Sequence, residues 1–243
     1  MKSTYVIRLA ALCLSLAAAT PALAQDSKWS IEGSIGWDIG LSGDFIAAGI
    51  GTINNVPVVI QTQSFGKVYG TGVQWQIGAN YALDDKADVL GSFTYQRSGA
   101  DAVLLGKAGT SDLYGTFDDY EVWSIEGGYR RYFERHDKLR PYAGVSIGIA
   151  DIPRINGIFS ATQANVVQYN TDLYDGTAAF IFGVNGGALY HVSERADVRF
   201  QIGLRHTSGL SQIDNLQSTG LGNINDRSAR WSMPISLGLH VRF

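Results

Sequence analysis

The stretch Ser228–Phe243 reads SARWSMPISLGLHVRF, and its alternation decides the fold. Every second residue, Ala229, Trp231, Met233, Ile235, Leu237, Leu239, Val241 and Phe243, is apolar. The intervening Ser228, Arg230, Ser232, Pro234, Ser236, Gly238, His240 and Arg242 are small, polar or cationic. A period of two held over the whole stretch marks a β-strand between two different environments. The segment is also about as long as a tilted strand needs to cross a bilayer, and it ends on an aromatic residue. The expectation is a transmembrane β-strand.

The N-terminus agrees with export. Met1, Lys2 and Arg8 precede the apolar run Leu9–Ala19, and Ala22-Leu23-Ala24 supplies a small-x-small cleavage site. This is the form of a signal peptide over residues 1–24, leaving one domain over residues 25–243. The run is too short for a membrane helix, which needs roughly 20 apolar residues. The single cysteine, Cys13, lies inside it, so neither a disulfide nor thiol chemistry is expected in the exported chain. Without Lys2 and Arg8, the 19 basic residues fall to 17 against 22 acidic ones, a formal charge of −5. That balance offers no basic patch for nucleic acid. Abundant glycine (29) and tyrosine (12) with little proline (5) point to an all-β chain.

The same alternation recurs upstream. Trp29, Ile31, Ile35, Trp37, Ile39 and Leu41 oppose Ser30, Glu32, Ser34, Gly36 and Asp38 over residues 28–42. Six further strands are read at residues 71–83, 87–98, 123–133, 140–151, 178–191 and 196–207. Ile181 and Leu189 spoil the sixth strand's pattern, and Arg131 spoils the fourth. Three connections are short and polar: residues 84–86, 134–139 and 193–195. Four are long: residues 43–70, 99–119, 152–175 and 208–227. Strict alternation of long and short connections is the pattern of an up-and-down antiparallel transmembrane β-barrel, with short periplasmic turns and long extracellular loops. The first long connection carries two apolar patches around Asn54-Asn55, which suits a turn. Eight strands are expected, or ten if those patches enter the membrane.

Strands in lipid must close, because an open edge leaves amide groups without partners. The apolar faces then meet lipid, and the interior collects Glu32, Asp38, Glu126, Arg130, Arg199, Arg205, Arg230 and Arg242. Opposite signs in one narrow lumen imply ion pairs. A soluble lipocalin-like barrel would reverse the two faces and leave the terminal Phe243 without a role.

Three segments carry a family resemblance: Gly127-Gly128-Tyr129-Arg130-Arg131-Tyr132-Phe133, Arg140-Pro141-Tyr142-Ala143-Gly144-Val145-Ser146-Ile147-Gly148, and the terminal His240-Val241-Arg242-Phe243. With the overall architecture they resemble the small outer-membrane β-barrel proteins of Gram-negative bacteria, typified by OmpX and the barrel domain of OmpA. The resemblance implies an outer-membrane monomer in contact with outer-membrane lipids and lipopolysaccharide. It also implies that the barrel assembly machinery reads Phe243, with Leu239 and Val241 in the same register. Envelope structure or surface interaction through an extracellular ligand comes first among the functions, and a small channel second.

An enzyme comes third. Arg205-His206-Thr207-Ser208 puts a histidine and a serine on one strand face, and Asp214 or Asp226 could orient the imidazole for acyl transfer. This distantly resembles the lipid A deacylase PagL, a lipid A-modifying acyl hydrolase whose histidine and serine are two apart on the outside of a small barrel. Gly209 stands where that motif has asparagine, and no glutamate follows. The default reading is an interfacial histidine, with no catalytic residue. His136, His191 and His240 have no recognisable metal spacing, and no cofactor is expected. The acidic loops read as a solvated surface that could hold divalent cations only loosely.

Overall fold

The computed structural model describes residues 28–134, 136–161, 167–225 and 228–243. The expected signal peptide and Asp226 lie outside the described residues. The chain rises through β1 (Trp29–Ser42) into β2 (Asp44–Ile46), β3 (Gly49–Ile53), β4 (Val56–Ile60), β5 (Gln63–Ser64) and the short helix α1 (Phe65–Tyr69). It descends in β6 (Thr71–Asp84), turns at Asp85-Lys86 and rises in β7 (Ala87–Ser98). The hairpin β8 (Val103–Ala108) and β9 (Ser111–Phe117) precedes the descending β10 (Tyr120–Tyr132). β11 (Leu139–Ile152) leads to β12 (Ile155–Ala161) and β13 (Val167–Asp175), then β14 (Thr177–Ser193) and β15 (Ala196–Thr207). β16 (Ser211–Gln212), a 3-10 helix over Asp214–Thr219 and β17 (Arg230–Arg242) complete the fold.

Eight strands close an antiparallel barrel in the order β1-β17-β15-β14-β11-β10-β7-β6. The two terminal strands make the seam, with Ser30 opposite Arg242, Trp37 opposite Ile235 and Ser42 opposite Trp231. Outward positions such as Ile35, Trp37, Ile125, Ile147, Ile149 and Leu237 are exposed, as a lipid-facing wall requires. Pro234 has no N–H to give the ladder. The β15–β17 pairing accordingly skips from Ile202–Ile235 to Arg205–Ser232.

The long connections are not a loosely solvated surface. They form a seven-stranded sheet of their own, ordered β16-β13-β12-β9-β8-β4-β3, so all four contribute to one extracellular cap. The apolar patches flanking Asn54-Asn55 are its first hairpin, not two extra membrane strands. Asn54 and Asn55 adopt φ of 49° and 64°, the left-handed pair that a two-residue hairpin turn requires. Under the sheet lies an apolar core centred on Phe45, whose ring lies 5.0–5.4 Å from those of Phe65, Tyr69, Phe117 and Tyr174. The Tyr174 hydroxyl donates to the Phe45 carbonyl. Leu216, Leu221 and Ile224 join the core from the fourth connection, and Ala47 N–H donates to Ile224 O at 2.7 Å.

The core reaches down into the barrel mouth through Tyr120, Val122, Ala150, Ile152, Ala179 and Ile181. This explains the two apolar residues that break the pattern of β14. Ile181 faces inward because it belongs to the cap core, and Leu189 because it joins Tyr132 and Tyr142 near the periplasmic end. The cap's rim is polar: Arg154 bonds Asp172 at 3.2 Å and Asp175 at 2.9 Å. The Arg154 hydrogen bond, helped by the Gly176 N–H, holds the Asp175 carboxyl below its ordinary range. That contribution is complete above the ordinary carboxylate range and disappears as pH falls through the lowered value. Because the pair is exposed, it adds little to stability.

Replacing Phe45 with Ala removes the hub of five rings, a loss of about 3–5 kcal/mol for a buried aromatic. Limited proteolysis of intact cells will then cut the cap, while the barrel retains its heat-modifiable migration on gels. The exposed-pair variant Arg154→Ala will resist protease like the parent at neutral pH.

Candidate functional site

The lumen is crossed by tiers of ion pairs. Glu32 of β1 receives Arg130 of β10 at 3.0 Å and Arg199 of β15 at 2.5 Å, with all three side chains 2% exposed or less. Since β10 and β15 approach β1 from opposite ways around the barrel, this triad spans the interior. Arg199 also donates to Ser34 Oγ at 2.7 Å and Gln76 Oε1 at 3.0 Å. Above it Arg205 meets Glu126 at 3.0 Å, where Ser124 and Ser146 hydroxyls donate to the same carboxylate. Gly148 leaves the space for this carboxylate, because a Cβ there would lie 2.8 Å from Glu126 Cγ and 2.2 Å from Ile125 O.

The uppermost tier joins Arg230 to Asp38 at 3.0 Å, with Gln96 donating to Asp38 at 2.8 Å. The Arg230 guanidinium lies 4.4 Å from the Tyr120 ring centroid and 5.6 Å from that of Phe65, so it forms the border between polar lumen and apolar cap. At the periplasmic end Asp197 accepts from Arg242 at 2.7 Å and lies 3.0 Å from His191 Nδ1 and 3.3 Å from His240 Nδ1. The space left among the middle tiers is a cavity of about 30 Å³, room for about one water.

The cap presents a different surface. Its outward face carries Ile50, Val59, Leu104, Tyr114 and Ile158, all exposed, one from each of β3, β4, β8, β9 and β12. Ile50 stands opposite Val59 and Leu104 opposite Tyr114. Tyr114 stands opposite Ser160, which makes Ile158 its diagonal neighbour. Five neighbouring strands thus carry exposed apolar side chains in two patches, Ile50–Val59 and Leu104–Tyr114–Ile158, with the Lys107–Asp112 ion pair beside Val59 between them.

Residues 9–243 match the family model described as outer membrane protein beta-barrel domain. The chain belongs to this family. It is an eight-stranded integral barrel of the Gram-negative outer membrane. No curated protein matches it. Among solved structures, Neisserial surface protein A (NspA) matches at 14% identity and TM-score 0.48, over 89% of this chain and 98% of that one. Ail, the attachment invasion locus protein of Yersinia pestis, matches at 13% and 0.40, over 89% and 100%. The outer membrane protein OprG from Pseudomonas aeruginosa matches at 12% and 0.42, over 88% and 96%.

In this outer-membrane barrel, Glu32, Asp38, Glu126, Arg130, Arg199, Arg205 and Arg230 lie in the lumen, and Arg242 lies at its periplasmic mouth. Leu239 points outward, opposite Gly33 and Val198. Val241 pairs with Ile31 and Ala196, and Phe243 N–H reaches Trp29 O at 3.4 Å. Among the described residues His206, Ser208 and Asp214 are not brought together. The His206 ring is held 5.2 Å from Phe182 and 4.9 Å from Trp231, and its Nδ1 has no hydrogen-bond partner among the described residues. Ser208 Oγ accepts from Phe180 N–H at 2.9 Å, and Asp214 begins the 3-10 helix. A nucleophile needs its base within hydrogen-bond reach; among the described residues none of these three bonds another.

Asp197 and Asp88 were not singled out by sequence reasoning, although Asp197 sits on a polar strand face. Asp88 accepts from the Tyr132 hydroxyl at 2.6 Å. The cap core was also missed, yet Leu113, Gly115 and Phe117, like Ile155, Gly157, Phe159 and Ala161, alternate at period two inside the loops. That signal could have revealed it.

Glu32→Gln strips the counter-charge from two buried guanidinium groups and should destabilise the barrel by about 3–5 kcal/mol, read as urea unfolding from lipid vesicles. Replacing the whole triad, Glu32→Leu with Arg130→Met and Arg199→Met, will lose much less, because no bare charge remains.

Proposed function

We propose that this protein is a surface-interaction barrel: the transmembrane strands hold a folded extracellular cap, and the outward face of that cap docks a partner protein. The observation that carries the reading is the exposed Leu104–Tyr114–Ile158 patch, with Ile50 and Val59 beyond Lys107, since an exposed apolar patch marks an interaction surface. The described cap also holds Asp44, Asp101, Asp112, Asp118, Asp119, Asp172, Asp175 and Asp214 against Lys67, Lys107 and Arg154. Charge complementarity therefore selects a partner with apolar contacts inside a basic rim. A channel is disfavoured by the ion-pair tiers and by the apolar core that sits over them.

Within the family we read the chain as of the OmpX and OmpA barrel-domain type, on the resemblance of residues 127–133 and 140–148. The barrel wall contacts lipid and neighbouring lipopolysaccharide, and the assembly machinery reads Phe243 with Leu239 and Val241.

The double variant Leu104→Ser/Tyr114→Ser tests the reading. Cells displaying the parent will adhere to a surface coated with basic protein, and the variant, displayed at equal density, will adhere at least fivefold less. Equal adhesion by both would remove the cap face from the account. Single-channel recording in planar bilayers separates the channel class: the parent will be electrically silent, whereas steady conductance would favour a pore.

A further inference from the structure

The periplasmic end of the barrel holds a second, much larger space, bordered on one side by the tier of His191, Asp197 and Arg242. It has a volume of about 510 Å³, and Lys86, Lys138 and Arg140 line it together with Phe133, Leu189 and Arg242. Arg242 is already committed to Asp197. Among the described residues Lys86, Lys138 and Arg140 make no ion pair, and Asp85 and Glu134 are the remaining unpaired carboxylates on the wall. The cup therefore keeps an excess of cation after its own pairs are formed.

The three cations stand on a fixed frame. Tyr132 N–H donates to Lys86 O at 2.7 Å, and His191 N–H donates to Lys138 O at 2.8 Å, so both turns are tied to neighbouring strands. The Arg140 guanidinium lies 4.0 Å from the Tyr132 ring centroid and donates through Nη2 to the Asp85 carbonyl. Stacking and this bond orient the planar group in advance, while its other N–H groups make no further hydrogen bond among the described residues. An arginine fork with two lysines suits a phosphate, whose charge and three acceptor oxygens exceed what a single cation satisfies.

The volume is within the range of small-molecule sites and leaves room for an organic part beside Phe133 and Leu189. Phe133 also belongs to the lipid-facing set, 56% exposed, so the cup reaches the rim where inner-leaflet headgroups lie. We propose that this periplasmic cup binds a glycerophosphate-type phosphate ester through Arg140, Lys86 and Lys138. The ester is either a free periplasmic molecule or the headgroup of an inner-leaflet phospholipid.

The test uses the purified full-length barrel in a maltoside detergent, titrated with glycerol 3-phosphate by calorimetry. A parallel arm uses nanodiscs of phosphatidylglycerol against neutral lipid, with lipid retention read by mass spectrometry. The parent will bind saturably in at least one arm, and Arg140→Gln/Lys138→Gln will weaken that binding at least tenfold. Lys107→Gln, in the cap, will leave it unchanged. Binding in the soluble arm assigns a free ester, and retention of phosphatidylglycerol alone assigns the lipid headgroup. Should the double variant fail the heat-modifiability check, Lys86→Gln/Lys138→Gln replaces it, since both side chains are exposed on turns. Absence of saturable binding in both arms, or binding that the cup variants leave intact, overturns the proposal.

Discussion

A strand inside a bilayer has no water to satisfy its amide groups, so each must be paired on both edges. In this chain that requirement is met at the seam, where β17 lies between β1 and β15 and the first and last strands join. Closure inverts the usual distribution of side chains. Ile35, Trp37 and Leu237 face lipid, while Glu32, Asp38 and Arg230 are enclosed. Everything inside the barrel follows from having to make that enclosed set neutral and hydrogen-bonded.

The enclosed ion pairs are better understood as a device of register than as a store of stability. Desolvating Glu32, Arg130 and Arg199 offsets most of their attraction. Among the described residues Arg130 Nε, Arg199 Nε and Asp38 Oδ1 have no hydrogen-bond partners. A slip of one residue in any ladder, however, would turn a charged side chain into lipid and an apolar one into the lumen. The pairing of Glu32 with arginines on β10 and β15 therefore penalises wrong registers on both sides of β1 together. Arg230 ends this polar column, bonded to Asp38 below and lying against the rings of Tyr120 and Phe65 above. The chain thus has two interiors of opposite character, one stacked on the other.

How much of this was legible depended on whether the signal was local. Period-two alternation placed the eight membrane strands and their faces, because each strand has one neighbour of lipid and one of lumen. Turn chemistry at Asn54-Asn55 likewise needed only adjacent residues. The partners of the charges were not readable, since Arg130, Arg199 and Arg230 lie 98, 167 and 192 residues from the carboxylates they bond. The cap was hidden for a related reason. Its strands are short and come from four separate connections, so no single loop contains enough apolar surface to announce a core. The His206 and Ser208 spacing misled in the other direction: the strand places both near the outer surface, but Phe182 and Trp231 enclose the imidazole and a backbone amide holds the hydroxyl.

A barrel that needed only to sit in the membrane would be served by short polar loops, whose closure is entropically mild. Here four connections converge on Phe45, and the cap is ordered before any partner arrives. Preorganisation removes much of the ordering cost that loop-borne binding otherwise carries. The same folding exposes Ile50, Val59, Leu104, Tyr114 and Ile158 on one face while burying their alternate neighbours Ile53, Val58, Leu105, Leu113 and Phe159. A sheet can bury only one side on its own core. Here the other side carries large apolar residues as well, beside the Lys107–Asp112 pair, and these work against solubility for an isolated cap. A binding partner would explain that composition, because it would cover the second face as the core covers the first.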